Sequence, residues 1–282
     1  MKKIFLIGKD GQIGWELERS LASLGTVIAC DRKSFDLKDP AGMRKALQKY
    51  HPDVIVNAAA YTAVDKAETE REEALAINGI APGILAEEAL RLNARLIHYS
   101  TDYVFDGTKT EPYNEDDKTN PLNYYGETKL IGEKAITSVG GEYLILRTSW
   151  IYGKRKKNFL TTMLQLGLEK ESLSIVDDQI GAPTWCRFVA EATAQILCHE
   201  HQSKSGLYHL SASGNTTWFH FAEAIFSYGT EKIRPQLIKI PSSAYPSSAH
   251  RQKNSLLDNL KIKNAFNISL PDWKLGLELC LG

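Results

Sequence analysis

A tyrosine and a lysine with complementary acid–base chemistry lie four residues apart near the start of a predicted helix. Tyr125 and Lys129 are separated by Gly-Glu-Thr, and helical spacing of i and i+4 places the phenol and the ammonium on one face. A nearby cation favours the phenolate, so we expect Lys129 to lower the pKa of Tyr125 toward the range of a general acid. The pair is common by chance, and its meaning depends on its surroundings.

A polar cluster precedes this helix, immediately after a short apolar run. The run Leu96–Tyr99 leads into Ser100, Thr101 and Asp102. In open α/β sheets ligands bind beyond the carboxyl ends of the strands. We therefore expect Thr101 and Asp102 to lie near the tyrosine–lysine pair.

A glycine-rich turn follows the first apolar run of the chain. Residues Gly8–Gly14 read Gly-x-x-Gly-x-x-Gly between a predicted strand and a predicted helix. Glycines let the backbone approach a pyrophosphate, and the helix N-terminus offers free N–H groups and a positive dipole end. The turn predicts a dinucleotide site.

The next predicted strand ends at Asp31, where an acid would bind the ribose of a dinucleotide. A carboxylate that holds the 2′-hydroxyl favours NAD, whereas Arg32 or Lys33 would accept the 2′-phosphate of NADP. These residues leave the form of the cofactor open.

The elements that must position these residues alternate along the first half of the chain. Short apolar runs predict strands at Ile4–Ile7, Val27–Cys30, Val54–Ala60, Leu96–Tyr99 and Tyr143–Leu146. Amphipathic segments between them predict helices at Gly14–Ser23, Met43–Tyr50, Glu70–Leu92 and Tyr125–Thr137. Unbroken apolar strands separated by helices indicate a parallel sheet that is covered on both faces. The expected fold is α/β, a doubly wound (Rossmann) parallel sheet.

The rhythm changes after about Tyr152. We predict a dinucleotide-binding domain over residues 1–152 and a smaller C-terminal α/β substrate-binding lobe over 153–282. A predicted strand at Leu173–Val176 and a helix at Thr184–Cys198 lead us to expect that residues of about 173–200 thread back into the Rossmann sheet.

Composition excludes several classes of protein. The 34 basic and 34 acidic residues balance, which argues against a nucleic-acid partner. No apolar run reaches the ~18–20 residues of a membrane helix, and four scattered cysteines favour a reducing, cytoplasmic compartment. The run Cys198–His201 resembles a metal site, but it has no partner cluster. We therefore predict a solvated helix end and no metal.

Further strings make a resemblance specific. They are Asn57–Glu68, His98–Phe105, Arg147–Trp150 and Asp178–Thr184. With the glycine turn and the tyrosine–lysine pair, they resemble the extended short-chain dehydrogenases/reductases and, within them, the dTDP-4-dehydrorhamnose reductase family. The resemblance runs from Met1 to beyond Leu257. It implies NADPH, or alternatively NADH, as the reductant of the C4 ketone of dTDP-4-dehydro-L-rhamnose (dTDP-6-deoxy-L-lyxo-4-hexulose). The product would be dTDP-L-rhamnose, made for polysaccharide synthesis.

The resemblance also implies residue roles. Tyr125 would protonate the C4 alkoxide, Thr101 would hydrogen-bond the reacting oxygen, and Lys129 would hold the nicotinamide ribose. Asp102, Trp150 and Arg251 would join Thr101 and Tyr125 in contacting the substrate. Besides Tyr125 and Lys129, the expected cofactor-binding residues are Gly8, Gly11, Gln12, Ile13, Gly14, Asp31, Arg32, Asp36, Leu37, Ala58, Ala59, Ala60, Tyr61, Thr62 and Tyr99.

Two departures from the family pattern bear on partners and on the substrate loop. Some members bridge a homodimer with magnesium through glutamates; Glu16 matches one, but Arg187 stands at another position and the sequence ends at Gly282. We expect any homodimer here not to be bridged by magnesium. The family usually has proline after the arginine at 251, and its replacement by Gln252 is expected to loosen that turn.

Two alternatives stay open. One is epimerase or dehydratase chemistry on another nucleotide sugar, although Tyr103 stands where a dehydratase would carry glutamate after Thr-Asp. The other is a non-catalytic binding subunit, because the regulatory subunit of methionine adenosyltransferase resembles these reductases.

Overall fold

The computed structural model describes residues 1–198, 204–228 and 235–282. In this part of the chain the strands are β1 (Lys2–Ile7), β2 (Gly25–Cys30), β3 (Val54–Asn57), β4 (Arg95–Thr101), β5 (Tyr143–Thr148), β6 (Ile151–Tyr152), β7 (Ser172–Val176), β8 (Ile180–Gly181), β9 (Thr184–Trp185), β10 (Gly206–His209), β11 (Thr216–Thr217) and β12 (Gln236–Ile240). The helices are α1 (Gln12–Ser20), α2 (Pro40–Tyr50), α3 (Val64–Ala67), α4 (Arg71–Leu75), α5 (Ala81–Leu92), α6 (Tyr124–Val139), α7 (Phe159–Glu169), α8 (Cys186–Cys198), α9 (Trp218–Tyr228), α10 (Leu260–Phe266) and α11 (Trp273–Leu281). None of these helices has the length and apolar character needed to cross a membrane.

The central sheet has six strands in the order β10-β5-β4-β3-β1-β2. Every neighbouring pair is parallel. The strand order reverses between β1 and β3, and such a reversal opens a crevice at the carboxyl ends of the strands. The expected doubly wound fold is confirmed.

Both faces of this sheet are covered, because alternate residues of each buried strand point to opposite sides. Ile4 and Leu6 of β1 pack with residues of α1, α8 and α10. Phe5 and Ile7 pack on the other side with α2, α5 and α6. The unbroken apolar strands of the sequence therefore supply two cores.

A third, smaller core lies outside the central sheet. It contains Tyr152, Leu160, Phe221 and Trp273, and it joins α7, α9 and α11 to the parallel pair β7 and β12. The division at residue 152 stays a prediction.

The expected threading of residues 173–200 into the Rossmann sheet differs from the structure. Strand β7 pairs with β12, and the strand that returns to the central sheet beside β5 is β10. In β7 exposed Ser172 and Ser174 alternate with buried Leu173 and Ile175, a pattern that suits a sheet covered on one face. Helix α8 does pack on the central sheet, against α1.

Candidate active site

Three adjacent strands, β2, β1 and β3, end at the same level, and β4 and β5 continue three residues beyond it. Cys30 pairs with Ile7, Ile7 with Asn57, and Asn57 with His98. Three residues beyond His98, at the end of β4, Thr101 pairs with Thr148 of β5. The loops that follow these strands therefore meet along one edge, where the predicted site residues come together.

The glycine turn is tight enough to exclude side chains. Gly8 has a φ of +88°, and a Cβ there would lie 2.9 Å from the Cβ of Ala59; a Cβ on Gly14 would lie 2.0 Å from the carbonyl oxygen of Gly8. The N-cap of α1 is Gly11, which gives the described helix no side-chain cap. The first N–H groups of α1 thus remain available to an anion, as a dinucleotide pyrophosphate requires.

The basic loop 154–157, which precedes α7, is held close to this turn through Asn158. Asn158 caps α7, and its Nδ2 donates to Gln12 Oε1 at 2.8 Å and to the carbonyl of Gly153 at 2.8 Å. The guanidinium of Arg155 lies 4.6 Å from the ring centre of Trp15 in α1. These contacts attach the basic loop 154–157 to the start of the first helix.

The end of β2 presents a carboxylate that is already hydrogen-bonded. Asp31 Oδ1 accepts from the backbone N–H groups of Lys33 and Ser34 at 3.0 and 2.9 Å. The hydrogen bonds from Ser34 lower the pKa of Asp31, and Lys9 adds to the effect. Arg32, the next residue in the chain, pairs with Glu73 at 2.6 Å, so this cation already has a counterion.

Thr101 and Tyr125 meet at the end of β4. The Thr101 side chain is close enough to Tyr125 to act on the pKa of its phenol, and Thr101 Oγ1 donates to Asp102 Oδ1 at 2.9 Å. Helix α6 begins beside them because Asn123 caps it, accepting from the N–H of Gly126 at 2.9 Å. The hydroxyl groups of Thr101 and Tyr125 are therefore neighbours at the end of β4.

The expected effect of Lys129 on the tyrosine is not what the structure shows. Burial raises the pKa of Tyr125, and the carboxylate of Asp102 raises it further, while the hydrogen bond with Thr101 opposes them. Burial also lowers the pKa of Lys129 to about 8. The phenol therefore keeps its proton at neutral pH, which suits a proton donor in a reduction.

Lys129 is buried beneath the tyrosine. Its Nζ donates to the carbonyl oxygen of Tyr99 at 2.6 Å and lies 3.2 Å from His98 Nε2. Glu133, one turn further along α6, is the carboxylate that favours its charged form. Tyr99 thus contributes its carbonyl here, whereas its phenol bonds Thr193 of α8 at 2.7 Å in the core.

The C-terminal loop contacts the site through Arg251 and Gln252. Arg251 Nη2 pairs with Asp65 Oδ2 at 2.7 Å; burial raises the pKa of Tyr103, and the Arg251 guanidinium opposes this rise. Gln252 Nε2 donates to Asp102 Oδ2 at 3.0 Å. Burial raises the pKa of Asp102 to about 6, against the hydrogen bonds from Thr101, Ser255 and Gln252.

Trp150 follows β5 and lies in a strained conformation, with a φ of +48°. Its ring stacks on Trp218 with centroids 3.4 Å apart and planes 4° from parallel. A Cβ on Gly181 would lie 2.2 Å from the Trp150 ring. The indole is therefore fixed between two elements of the smaller core.

The chain is similar to known proteins over almost its whole length. A family model described as "RmlD substrate binding domain" matches residues 1–282. A dTDP-4-dehydrorhamnose reductase of Burkholderia thailandensis is 46% identical over 99% of this chain and 98% of its own. One from Escherichia coli K12 is 45% identical over 99% and 96%.

The chain belongs to the dTDP-4-dehydrorhamnose reductase family.

Solved structures agree with this assignment. The family member from Bacillus anthracis, in complex with NADP, has a TM-score of 0.92 at 35% identity and covers 99% of this chain and 98% of its own. A UDP-glucose 4-epimerase from Thermus thermophilus has a TM-score of 0.84 at 18% identity, covering 99% and 97%. The second likeness shows the fold alone.

The departure from the family pattern at residue 252 has a structural use. Gln252 is 4% exposed, and it holds the turn to Asp102 by its side-chain hydrogen bond. Its Cβ also lies 2.5 Å from where a Cβ on Gly107 would be. The loosening expected from the missing proline is therefore offset by this contact.

Two further expectations concern residues away from the crevice. Leu37 is buried in the core with Phe5 and Phe35. Arg187 pairs with Glu191 at 2.8 Å. In residues 1–198, 204–228 and 235–282 no three His, Cys, Asp or Glu side chains are grouped to hold a metal. Of the run Cys198–His201, residues 199–201 lie outside the described residues.

The sequence prediction missed the residues that support the site. Asn57, His98, Asp65 and Glu133 all contact a predicted site residue or its neighbour. Asn57 is the last residue of β3, and His98 pairs with it from β4 at the level where the crevice begins. That position was the available signal.

Proposed function

We propose that this protein reduces the C4 ketone of dTDP-4-dehydro-L-rhamnose to dTDP-L-rhamnose with NADPH, as its membership of the reductase family implies. The observation that carries the proposal is the proximity of Thr101 to Tyr125, whose pKa it acts to lower, beside the hydrogen bond from Thr101 to Asp102. The pair lies at the end of β4, on the crevice edge that also bears the glycine turn. A carbonyl oxygen bound there would meet two hydroxyl groups.

In this proposal the cofactor, when bound, supplies the hydride that attacks C4. Tyr125 gives its proton to the oxygen as negative charge develops on it, and Thr101 hydrogen-bonds the same oxygen. The raised pKa of Tyr125 keeps that proton available. Lys129 lies below the pair and would hold the nicotinamide ribose from its buried position.

The remaining cofactor contacts follow the crevice. We assign the pyrophosphate to Gly8, Gly11, Gln12, Ile13 and Gly14. The adenosine side is assigned to Asp31, Arg32, Asp36 and Leu37, and the loop after β3 to Ala58, Ala59, Ala60, Tyr61 and Thr62. That loop is held in place by Asn78, which accepts from the N–H of Tyr61 at 2.9 Å and donates to its carbonyl at 3.0 Å.

NADPH is the proposed reductant, with NADH as the alternative. A 2′-phosphate at Asp31 would need a cation, and Arg32 reaches it only by leaving Glu73. Lys9, 3.7 Å from Asp31, is another cation at this end of the crevice. Both reductants therefore belong in the first assay.

Asp102, Trp150 and Arg251 are assigned to the dTDP-sugar. We further propose a cytoplasmic protein without nucleic-acid partners, and a homodimer, if one forms, without a magnesium bridge. Four free cysteines are consistent with a reducing compartment.

The test is oxidation of NADPH, and separately of NADH, by purified protein with dTDP-4-dehydro-L-rhamnose generated in place by the upstream epimerase. We expect sugar-dependent oxidation with formation of dTDP-L-rhamnose. Cofactor binding without oxidation would instead favour another nucleotide sugar or a non-catalytic binding subunit.

A further inference from the structure

Three buried polar side chains form a chain from the loop after β3 to Lys129. The N–H of Ala59 donates to Asn57 Oδ1 at 3.2 Å, and Asn57 Nδ2 lies 3.1 Å from His98 Nδ1. His98 Nε2 lies 3.2 Å from Lys129 Nζ. Asn57, His98 and Lys129 are each 1% exposed, so water does not compete for these contacts.

The backbone decides which way the amide of Asn57 points. A backbone N–H can only donate, so the atom that faces Ala59 must be the amide oxygen. The NH₂ group of Asn57 therefore faces His98 and requires an acceptor there. Nδ1 must then carry no proton, and a neutral imidazole holds its single proton on Nε2, the atom that faces Lys129.

Burial keeps the imidazole neutral. It holds the pKa of His98 well below its ordinary value, and the charge of Lys129 acts in the same direction. An Nε2–H group pointing at an ammonium would place two donors in contact, since an ammonium has no acceptor. An uncharged amine has a lone pair that can accept this proton.

Other groups packed around Lys129 also affect the balance between its ammonium and its uncharged amine. Glu133 on α6 favours the ammonium, but both of its oxygens are bound by Arg147 of β5 at 2.9 and 2.6 Å. Tyr125 lies one turn before Lys129 on α6, and Asp102 acts on that phenol. The carbonyl of Tyr99 accepts from the nitrogen in either charge state.

We propose that Asn57 and His98 are positioning residues that set the charge of Lys129. With the amide as observed, the Nε2–H tautomer of His98 stabilises the uncharged amine. If the amide of Asn57 rotates and gives up its bond from Ala59, Nδ1 takes the imidazole proton and Nε2 accepts from the ammonium. The second arrangement holds one proton more than the first, and that proton comes from solvent.

The chain of Asn57, His98 and Lys129 connects the loop after β3 to the base of the site. Ala59, whose N–H fixes the amide, is one of the residues assigned to the dinucleotide. The inference rests on the proposed function for the role of Lys129, but the tautomer of His98 can be measured without any turnover.

The first experiment is ¹⁵N nuclear magnetic resonance of the full chain labelled in histidine, with His98 assigned by the signal lost in His98→Gln. We expect a protonated Nε2 and an unprotonated Nδ1 in the wild type at neutral pH. In Asn57→Asp a carboxylate would accept from both Ala59 and Nδ1, so the tautomer should change to Nδ1–H. An Nδ1–H tautomer in the wild type would overturn the proposal, whether or not the variant folds.

The second experiment is the pH dependence of kcat/KM, which reports groups of the free enzyme. Asn57→Asp should move the limb that belongs to Lys129 upward by about one pH unit, a tenfold change in proton affinity. The matched control is Asn259→Asp, a half-buried asparagine that bonds the backbone of Ser211 and contacts neither His98 nor Lys129. Its limb should stay at the wild-type pH.

Coincident limbs in the wild type and Asn57→Asp would contradict the proposal. A wild-type protein that turns over no sugar would refute the proposed function alone, because the tautomer measurement would still stand.

Discussion

The buried ion pair behind the site permits a quantitative test. Arg147 donates to both oxygens of Glu133, at 2.9 and 2.6 Å, and both side chains are 3% exposed. Ser100 also donates to Glu133, at 2.5 Å. The change Glu133→Gln keeps the shape of the side chain but leaves the guanidinium of Arg147 buried without its counterion.

Removing one partner of a buried pair typically destabilises a protein by about 3–5 kcal/mol. Arg147 Nη1 already has no hydrogen-bond partner within the described residues, so no further bond at that nitrogen compensates for the lost carboxylate. We therefore expect a loss of about 4 kcal/mol for Glu133→Gln. The matched control is Glu191→Gln, which breaks a pair of 2.8 Å whose side chains are 55% and 42% exposed and should cost less than about 1 kcal/mol.

The assay is urea unfolding followed by tryptophan fluorescence. With a slope of about 3 kcal/mol per molar urea, Glu133→Gln should lower the midpoint by roughly 1 M. Adding Arg147→Met should recover part of the loss, since the uncompensated charge is then gone. If Glu133→Gln and Glu191→Gln lower the midpoint equally, burial does not control the energy of this pair and the reasoning is wrong.

Three further outcomes are expected. Tyr125→Phe should lower turnover about 10²- to 10⁴-fold with nearly unchanged NADPH affinity by fluorescence titration; wild-type turnover would remove Tyr125 as the proton donor. The pKa of Asp102 is about 6 in the folded protein and about 3.9 when unfolded, so the folded state binds the proton more tightly and loses stability as pH rises between these values. Asp102→Asn should abolish this loss and be more stable than wild type by about 2–3 kcal/mol at alkaline pH; parallel stability curves from urea unfolding would contradict it. Gly181→Ala should displace the Trp150 ring and lower the free energy of unfolding by about 1–3 kcal/mol. It should also raise the KM for the sugar more than the KM for NADPH. An equal rise of both KM values in steady-state assays would show that Trp150 does not contact the sugar.

Local sequence was sufficient to predict the elements that hold the site. Apolar runs such as Ile4–Ile7 correspond to strands buried on both faces, because a parallel sheet under two helix layers exposes neither side. The glycine turn was readable since its backbone needs a positive φ at Gly8 and close contact at Gly14. Helical spacing alone placed Tyr125 and Lys129 on one face of α6.

The sheet order of the smaller core could not be predicted in the same way. Strand β7 is a short run with one buried face, and nothing near it in the chain identifies its partner. Its residue Ser172 pairs with Gln236 of β12, 64 residues later in the chain. Which strand edge pairs with β7 depends on which helices cover each edge.

The charges of the site were decided by tertiary structure alone. The sequence placed a cation four residues from Tyr125 and suggested a lowered pKa, but burial and Asp102 raise it instead. Gln252 reaches Asp102 from 150 residues away, and Asn57 and His98 meet across neighbouring strands. The sequence determined which chemical groups are present and which strand ends carry them. Desolvation and long-range contacts determined their protonation, because a pKa depends on everything packed around the group and not on its neighbours in the chain.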